Sequence, residues 1–108
     1  MISDDQIEQA LDWLVKNATP AAQARANRVY CEEYRKSIKA DLMGHKASDS
    51  LGAQERYAYS HPEYKQHLLA LREAVEQDER MRWLLVAAEA KVEAWRSFQA
   101  NARAQGKL

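Results

Sequence analysis

The sequence predicts an all-α protein: a long C-terminal helix packed in a helical hairpin or coiled-coil-like bundle that assembles as a homo-oligomer. Three observations predict it. Only 3 glycines and 2 prolines occur in 108 residues, too few for the turns of a strand-rich domain. Helix-start signals recur ahead of stretches whose apolar residues fall three or four apart. From Pro62 to Gly106 nothing breaks the helix, and about 44 residues make a rod of roughly 66 Å.

The elements follow in order within one domain, 1–108. Ser3 and Gln6 form a capping box, and Ile7, Leu11 and Leu14 recur at helical spacing, giving a helix over 3–17. Thr19 offers an N-cap and Pro20 suits the first helical position, so a second helix is expected over 20–43. Gly44 is expected to end it in the left-handed conformation. His45 to Ser50 is polar and reads as a loop. A short helix over 51–59 follows, weakened by Gly52. Ser60, His61, Pro62 and Glu63 read as a second capping box that opens a helix over 61–104.

On that last helix Tyr64, Leu68, Leu71 and Val75 alternate steps of four and three. Met81, Leu85, Ala88, Val92 and Trp95 resume the pattern after a phase slip near Asp78. Leu69, Trp83, Leu84, Val86 and Ala87 widen the apolar surface beyond a two-helix seam. A lone assembly of so few helices buries too little surface, which is the reason to expect an oligomer. Val92, Trp95 and Phe98 are its expected partner or subunit interface.

Composition also bounds function. Sixteen basic and sixteen acidic residues sum to zero, so there is no overall pull towards nucleic acid or membrane. The longest apolar run, Trp83 to Ala88, is far short of the ~20 residues that span a bilayer. Asp4, Asp5 and Glu8 stand where a signal peptide needs basic residues. The single cysteine, Cys31, forms no internal disulfide and reads as a small buried apolar group, so a cytoplasmic location is expected. There is no glycine-rich phosphate loop, no Ser-His-Asp arrangement and no CxxC. Glu63 and His67 share a helix face, but two ligands do not make a metal site. Asp4, Asp5, Glu8 and Asp12 complement a helix dipole. No enzymatic activity, metal or cofactor is expected.

The neutral total hides a polarised chain. The first 18 residues hold one lysine and four acids, a net of −3, whereas residues 19–47 hold six basic residues and three acids, a net of +3. At 100° per residue Arg25, Arg28, Arg35, Lys36 and Lys39 fall within about 100° of arc, interrupted only by Glu32. Ala26, Tyr30, Tyr34, Ile38 and Leu42 form another sector, expected to pack. Such a stripe suits single-stranded DNA. Arg25, Arg28, Arg35, Lys36, Lys39, Lys46 and Arg56 would meet phosphates, and Tyr57 and Tyr59 would stack on bases at about 1–3 kcal/mol each. The alternative is a solvated face whose arginines bridge to glutamates. The protein would then be an interaction module, an assembly adaptor or inhibitor of a host complex, anchored by Trp95 and Phe98. Past Glu93 no acid follows, and Arg96, Arg103 and Lys107 either extend the phosphate surface or complement the helix dipole.

Ala26-Asn27-Arg28-Val29-Tyr30, Ser37-Ile38-Lys39, Arg56-Tyr57-Ala58-Tyr59 and the long helix after Ser60 together resemble UvsY-type recombination mediators of tailed phages. The ending Val92-Glu93-Ala94-Trp95-Arg96, with Asn101 and Arg103, resembles short helical proteins of phage recombination regions. The likeness covers roughly residues 20 to 104. It implies an all-helical oligomer that binds single-stranded DNA and helps a recombinase displace a single-strand binding protein. Lys39, Lys46 and Arg56 match the basic residues that contact DNA near the connection between that family's main helices. The chain departs from the family in being shorter, in a less lysine-rich connection, and in Glu55, where the pattern prefers a neutral or basic residue.

Overall fold

The computed structural model describes residues 2–106; Lys107 lies outside them. Among the described residues the chain is all-helical and has no strand: α1 (Asp4–Gly44), α2 (Leu51–Ser60) and α3 (Pro62–Ala104). It divides into two compact units, unit 1 from Met1–Ala22 with Glu79–Leu108 and unit 2 from Gln23–Asp78. All three tryptophans fall in unit 1 and all five tyrosines in unit 2.

The capping box at the start of α1 is formed as the sequence reads. The Gln6 N–H donates to Ser3 Oγ at 3.2 Å, and the Ser3 N–H donates to Gln6 Oε1 at 2.8 Å. The break expected between helices at 3–17 and 20–43 is absent, because α1 is one helix of 41 residues with Pro20 inside it. Pro20 supplies no N–H to the Lys16 carbonyl, and an interior proline costs about 3 kcal/mol. Both residues are exposed, so that carbonyl stays within reach of water. Asn17 spends its side chain on the Trp13 carbonyl, at 2.9 Å, instead of ending the helix.

What offsets the proline is a packing row that avoids it. Ile7, Ala10, Leu14, Asn17 and Ala21, then Ala24, Arg28, Cys31, Arg35, Ile38 and Leu42, are all buried or half-buried. Their steps alternate three and four from end to end, the spacing by which one helix face stays against another. Pro20 is off this row. The sector expected to pack is therefore corrected: Tyr30 and Tyr34 are 63% and 45% exposed, and two arginines stand on the row instead.

A matching row runs along α3. Tyr64, His67, Leu71, Ala74, Asp78, Met81, Ala88, Val92, Trp95, Gln99 and Ala102 are buried or half-buried, with Leu85 in the same register. No phase slip occurs near Asp78, because Asp78 is itself a member of the row. Leu68, expected in the seam, is 39% exposed and stands outside it.

The helix ends show two further corrections. Gly44 is not left-handed, since among the described residues only Gly106 has positive φ, at 72°. Instead α1 closes by tight i to i−3 bonds, His45 N–H to the Leu42 carbonyl and Lys46 N–H to the Met43 carbonyl, both 3.1 Å. Ser60 does not cap α3. It belongs to α2, and its hydroxyl donates to the Arg56 carbonyl at 2.6 Å. With Pro62 first in the helix the cap falls on His61, whose Nδ1 accepts the Glu63 N–H at 3.1 Å.

α2 starts at Ser50, whose Oγ accepts the Ala53 N–H at 3.3 Å. Gln54 Nε2 donates to the carbonyls of Ala47 and Asp49 at 3.4 and 3.1 Å, which ties the loop to the helix. Ser50→Ala is expected to cost about 1 kcal/mol, read as a lower urea midpoint at unchanged slope. A change within error would show that water caps this end equally well.

In unit 2 the core is Ile38, Leu42, Ala58 and Tyr64, flanked by Met43 and Tyr57. Ala58 is fully buried, so α2 lies close against its neighbours. Further along, His67 Nε2 meets the Cys31 carbonyl at 2.8 Å and Arg28 Nη1 meets Asp78 at 3.2 Å. These contacts set α1 and α3 antiparallel within the unit. In unit 1 the buried side chains are Ile7, Ala10, Ala88 and Ala102, and Trp95 Nε1 donates to Asp4 Oδ1 at 3.1 Å. Val92 and Trp95 are thus half-buried on the row that faces the chain's own α1. Phe98 is 45% exposed. Among the described residues no helix is long and apolar enough to cross a membrane.

Candidate nucleic-acid interface

Three of the expected cations and one of the two expected tyrosines converge at one place in unit 2. Arg35, Lys36 and Lys39 project from α1 and, with Tyr59 of α2 and Tyr64 of α3, line an open cleft of about 330 Å³. The i, i+1, i+4 spacing puts three cations on adjoining turns of one helix side. Close packing at Ala58 brings Tyr59 to them. Among the described residues no carboxylate lines this cleft. Tyr59 is 46% exposed and meets Tyr64 edge-on, ring centroids 5.3 Å apart. Lys39 Nζ sits 4.8 Å above the Tyr59 ring centroid, within the range where a cation is drawn to the π face.

Two of the three cations have partners near the rim. Lys36 Nζ lies 3.1 Å from Glu33, an exposed i, i+3 pair, and Lys39 Nζ lies 3.9 Å from Glu55. Pairs this exposed are worth under about 1 kcal/mol and exchange readily for a phosphate. Lys39 is held above its ordinary value of 10.5, first by its hydrogen bond to Tyr59 and then by the charges nearby, against some desolvation. Its cation therefore contributes throughout neutral pH, and that contribution is lost only as pH climbs past this raised value. Arg35 is half-buried on the packing row, lines the cleft, and forms no ion pair among the described residues.

The remaining members of the stripe go elsewhere. Arg28 is drawn into the seam, where Glu32 at 3.0 Å and Asp78 at 3.2 Å flank it. Its pKa is raised, first by the Glu32 hydrogen bond, and its carboxylate neighbours repel a phosphate. It acts as a packing and pairing residue. Lys46 lies over Tyr57, 5.2 Å from the ring centroid. Tyr57 is half-buried against the core, with His45 at 6.0 Å and His61 at 5.5 Å between ring centroids. That cluster leaves Tyr57 little room to stack on a base. Arg25 and Arg56 are exposed and form no ion pair among the described residues, but neither lines the cleft. At 1.5 Å per residue Arg25 is about 15 Å along α1 from Arg35.

One aromatic feature escaped the sequence. Tyr30 and Tyr34 stack on each other, centroids 5.5 Å apart and planes 10° from parallel, while both stay exposed. Their four-residue spacing was the signal, read as packing against another helix; Tyr34 does meet His67 of α3 edge-on, centroids 5.7 Å apart, while Tyr30 stacks on Tyr34.

In unit 1 the charges are different. Asp5, Glu8 and Asp12 line an acidic recess, and Arg96 and Arg103 line another together with Glu93. Arg96 is paired with Glu93 at 3.4 Å. Among the described residues no group of three or more His, Cys, Asp or Glu side chains is placed to hold a metal ion. His67 is committed to the Cys31 carbonyl and Glu63 is exposed. Compared with known proteins, the chain matches no family model, no curated sequence and no solved structure.

Proposed function

We propose that this protein is a non-enzymatic accessory protein that binds single-stranded nucleic acid through the cleft of unit 2. One observation carries the reading: three cations and an exposed tyrosine share a single open cleft that no carboxylate among the described residues lines. A phosphate neutralised by Arg35 or Lys36 releases condensed counterions. A base unstacked from its neighbours finds a π surface at Tyr59 when Lys39, which lies over that ring, turns to a phosphate. The resemblance to UvsY-type mediators supports the same ligand and adds a role in phage homologous recombination, with a recombinase or single-strand binding protein as partner.

The test is fluorescence anisotropy of a labelled single-stranded oligonucleotide. The wild-type chain should bind at low salt. Tyr59→Ala should weaken binding roughly tenfold to a hundredfold, the loss of about one base stack. Arg56→Glu, away from the cleft, should weaken it far less. Absence of binding at low salt would remove this reading.

A second reading rests on a different observation, the exposed apolar side chains of unit 1, among them Trp83 at 61% and Phe98 at 45%. On that reading the protein is a helical interaction module without nucleic-acid binding. It would be favoured by a chain that ignores the oligonucleotide yet loses its assembly when Phe98 is changed to a charged residue.

A further inference from the structure

The basic track on α1 is short. Arg35, Lys36 and Lys39 line one cleft and lie within about 6 Å of each other along the helix axis. Before them the next cation, Arg28, is held by Glu32 and Asp78, and Arg25 stands about 15 Å from Arg35. After them Lys46 lies over Tyr57, a ring flanked by His45 and His61. The aromatic surface is as short. Tyr59 is the exposed ring of the cleft, and Tyr64, edge-on to it, is buried. Tyr30 and Tyr34 stand about 100° or more around α1 from each of the three cations, on another side of the helix. A surface that follows a strand needs successive rings beside a continuous row of cations. Lys39 Nζ lies 4.8 Å from the Tyr59 ring centroid, so a phosphate at the lysine and a base on the ring belong to one nucleotide. The cleft holds that nucleotide and no run of them.

The ion pairs at the rim say which phosphate it takes. A ligand must draw Lys36 from Glu33 at 3.1 Å and Lys39 from Glu55 at 3.9 Å. A phosphodiester has one negative charge, the same as either carboxylate, so exchanging one for the other gains nothing in charge. A phosphate monoester carries about two charges at neutral pH on three acceptor oxygens. Those oxygens supply one acceptor each to the Arg35 guanidinium and the two ammonium groups, which line the cleft from adjoining turns. With the adjoining diester, the monoester brings three negative charges to three cations. Within a strand every phosphate is a diester, and a monoester occurs only at an end.

We propose that the unit 2 cleft is a strand-end site, holding a terminal phosphate monoester on Arg35, Lys36 and Lys39 while the terminal base stacks on Tyr59. This rests on the reading of the cleft as a single-strand site, and narrows it from any stretch of strand to a phosphorylated end.

Fluorescence anisotropy of one internally labelled oligonucleotide tests it in three forms: with hydroxyl ends, with a 5′-phosphate and with a 3′-phosphate. At neutral pH and low salt at least one phosphorylated form should bind the wild-type chain about tenfold tighter than the hydroxyl form, or more. That advantage should shrink as pH falls below about 6, where the monoester regains its second proton while lysine and arginine stay charged. A circular single strand of the same length has no end, and should compete no better than the hydroxyl form. Lys36→Gln with Lys39→Gln should bring the three forms level while circular dichroism stays helical. Equal affinity of the three forms for the wild type overturns the proposal. If that affinity still falls with salt and on Tyr59→Ala, the single-strand reading stands without it. A circle that competes as well as the phosphorylated strand overturns the proposal too. Absence of binding by every form at low salt removes both.

Discussion

Leu42→Ala is expected to remove about 2–5 kcal/mol from the unfolding free energy. Among the described residues Leu42 is the largest fully buried side chain, 1% exposed, and it joins α1 to Ala58 of α2 and Tyr64 of α3. Truncation removes the transfer free energy of three carbons and leaves a hole. The neighbours have little means of filling it, since Ala58 carries only a methyl and Tyr64 is held edge-on by Tyr59. Folded domains have about 5–15 kcal/mol in all, so the variant should melt at a much lower urea concentration by circular dichroism. A loss under about 1 kcal/mol would mean that the three helices collapse onto the gap, and that the core is not centred here.

The second large effect concerns salt. If three phosphates are neutralised by Arg35, Lys36 and Lys39, single-strand affinity should fall with salt at a logarithmic slope of about −2. Raising salt fourfold should then weaken binding roughly twentyfold. Changing all three residues to glutamate should abolish binding at low salt and leave the helical signal intact, since Lys36 is on the surface and Lys39 meets only Glu55 at the rim and the half-exposed Tyr59 ring. Arg35 is the exception, half-buried on the packing row, so Lys36→Glu with Lys39→Glu serves as the milder variant and should lose at least tenfold. A slope near zero with undiminished affinity would place the ligand elsewhere on the molecule.

Much of the helical architecture was legible because caps and breakers act locally. Ser3 with Gln6, the polar run before Leu51, Pro62 and Gly106 each announce themselves within a turn. Pro20 misled because local cost and tertiary gain differ in reach. Its missing hydrogen bond is felt at one turn, while the row of buried and half-buried side chains that accompanies the continuous helix extends over many. The row itself was hidden by composition. Asn17, Arg28 and Arg35 on α1, and His67, Asp78 and Gln99 on α3, occupy positions where an apolar count expects leucine. Skipping them shifts the inferred seam by one residue and creates an apparent slip at Asp78. These polar members are satisfied in place, as Arg28 with Asp78 and His67 with the Cys31 carbonyl show. A polar residue on a seam lowers stability but fixes which turn meets which.

The cleft was legible in part for the same reason. Arg35, Lys36 and Lys39 share an arc by helix geometry alone, and that arc holds. Which tyrosine joins them depends on how α2 turns back, and a difference of two residues there separates Tyr59 at the cleft from Tyr57 in the core.

The division of aromatic residues leaves the molecule with two native optical reporters. Indole fluorescence arises only from the half that holds Trp13, Trp83 and Trp95, and phenol absorbance only from the half that holds the tyrosines. Oligonucleotide at the cleft should therefore perturb the phenol bands, while opening of unit 1 should shift the indole emission. Each event is then observable in the other's presence without attaching a dye.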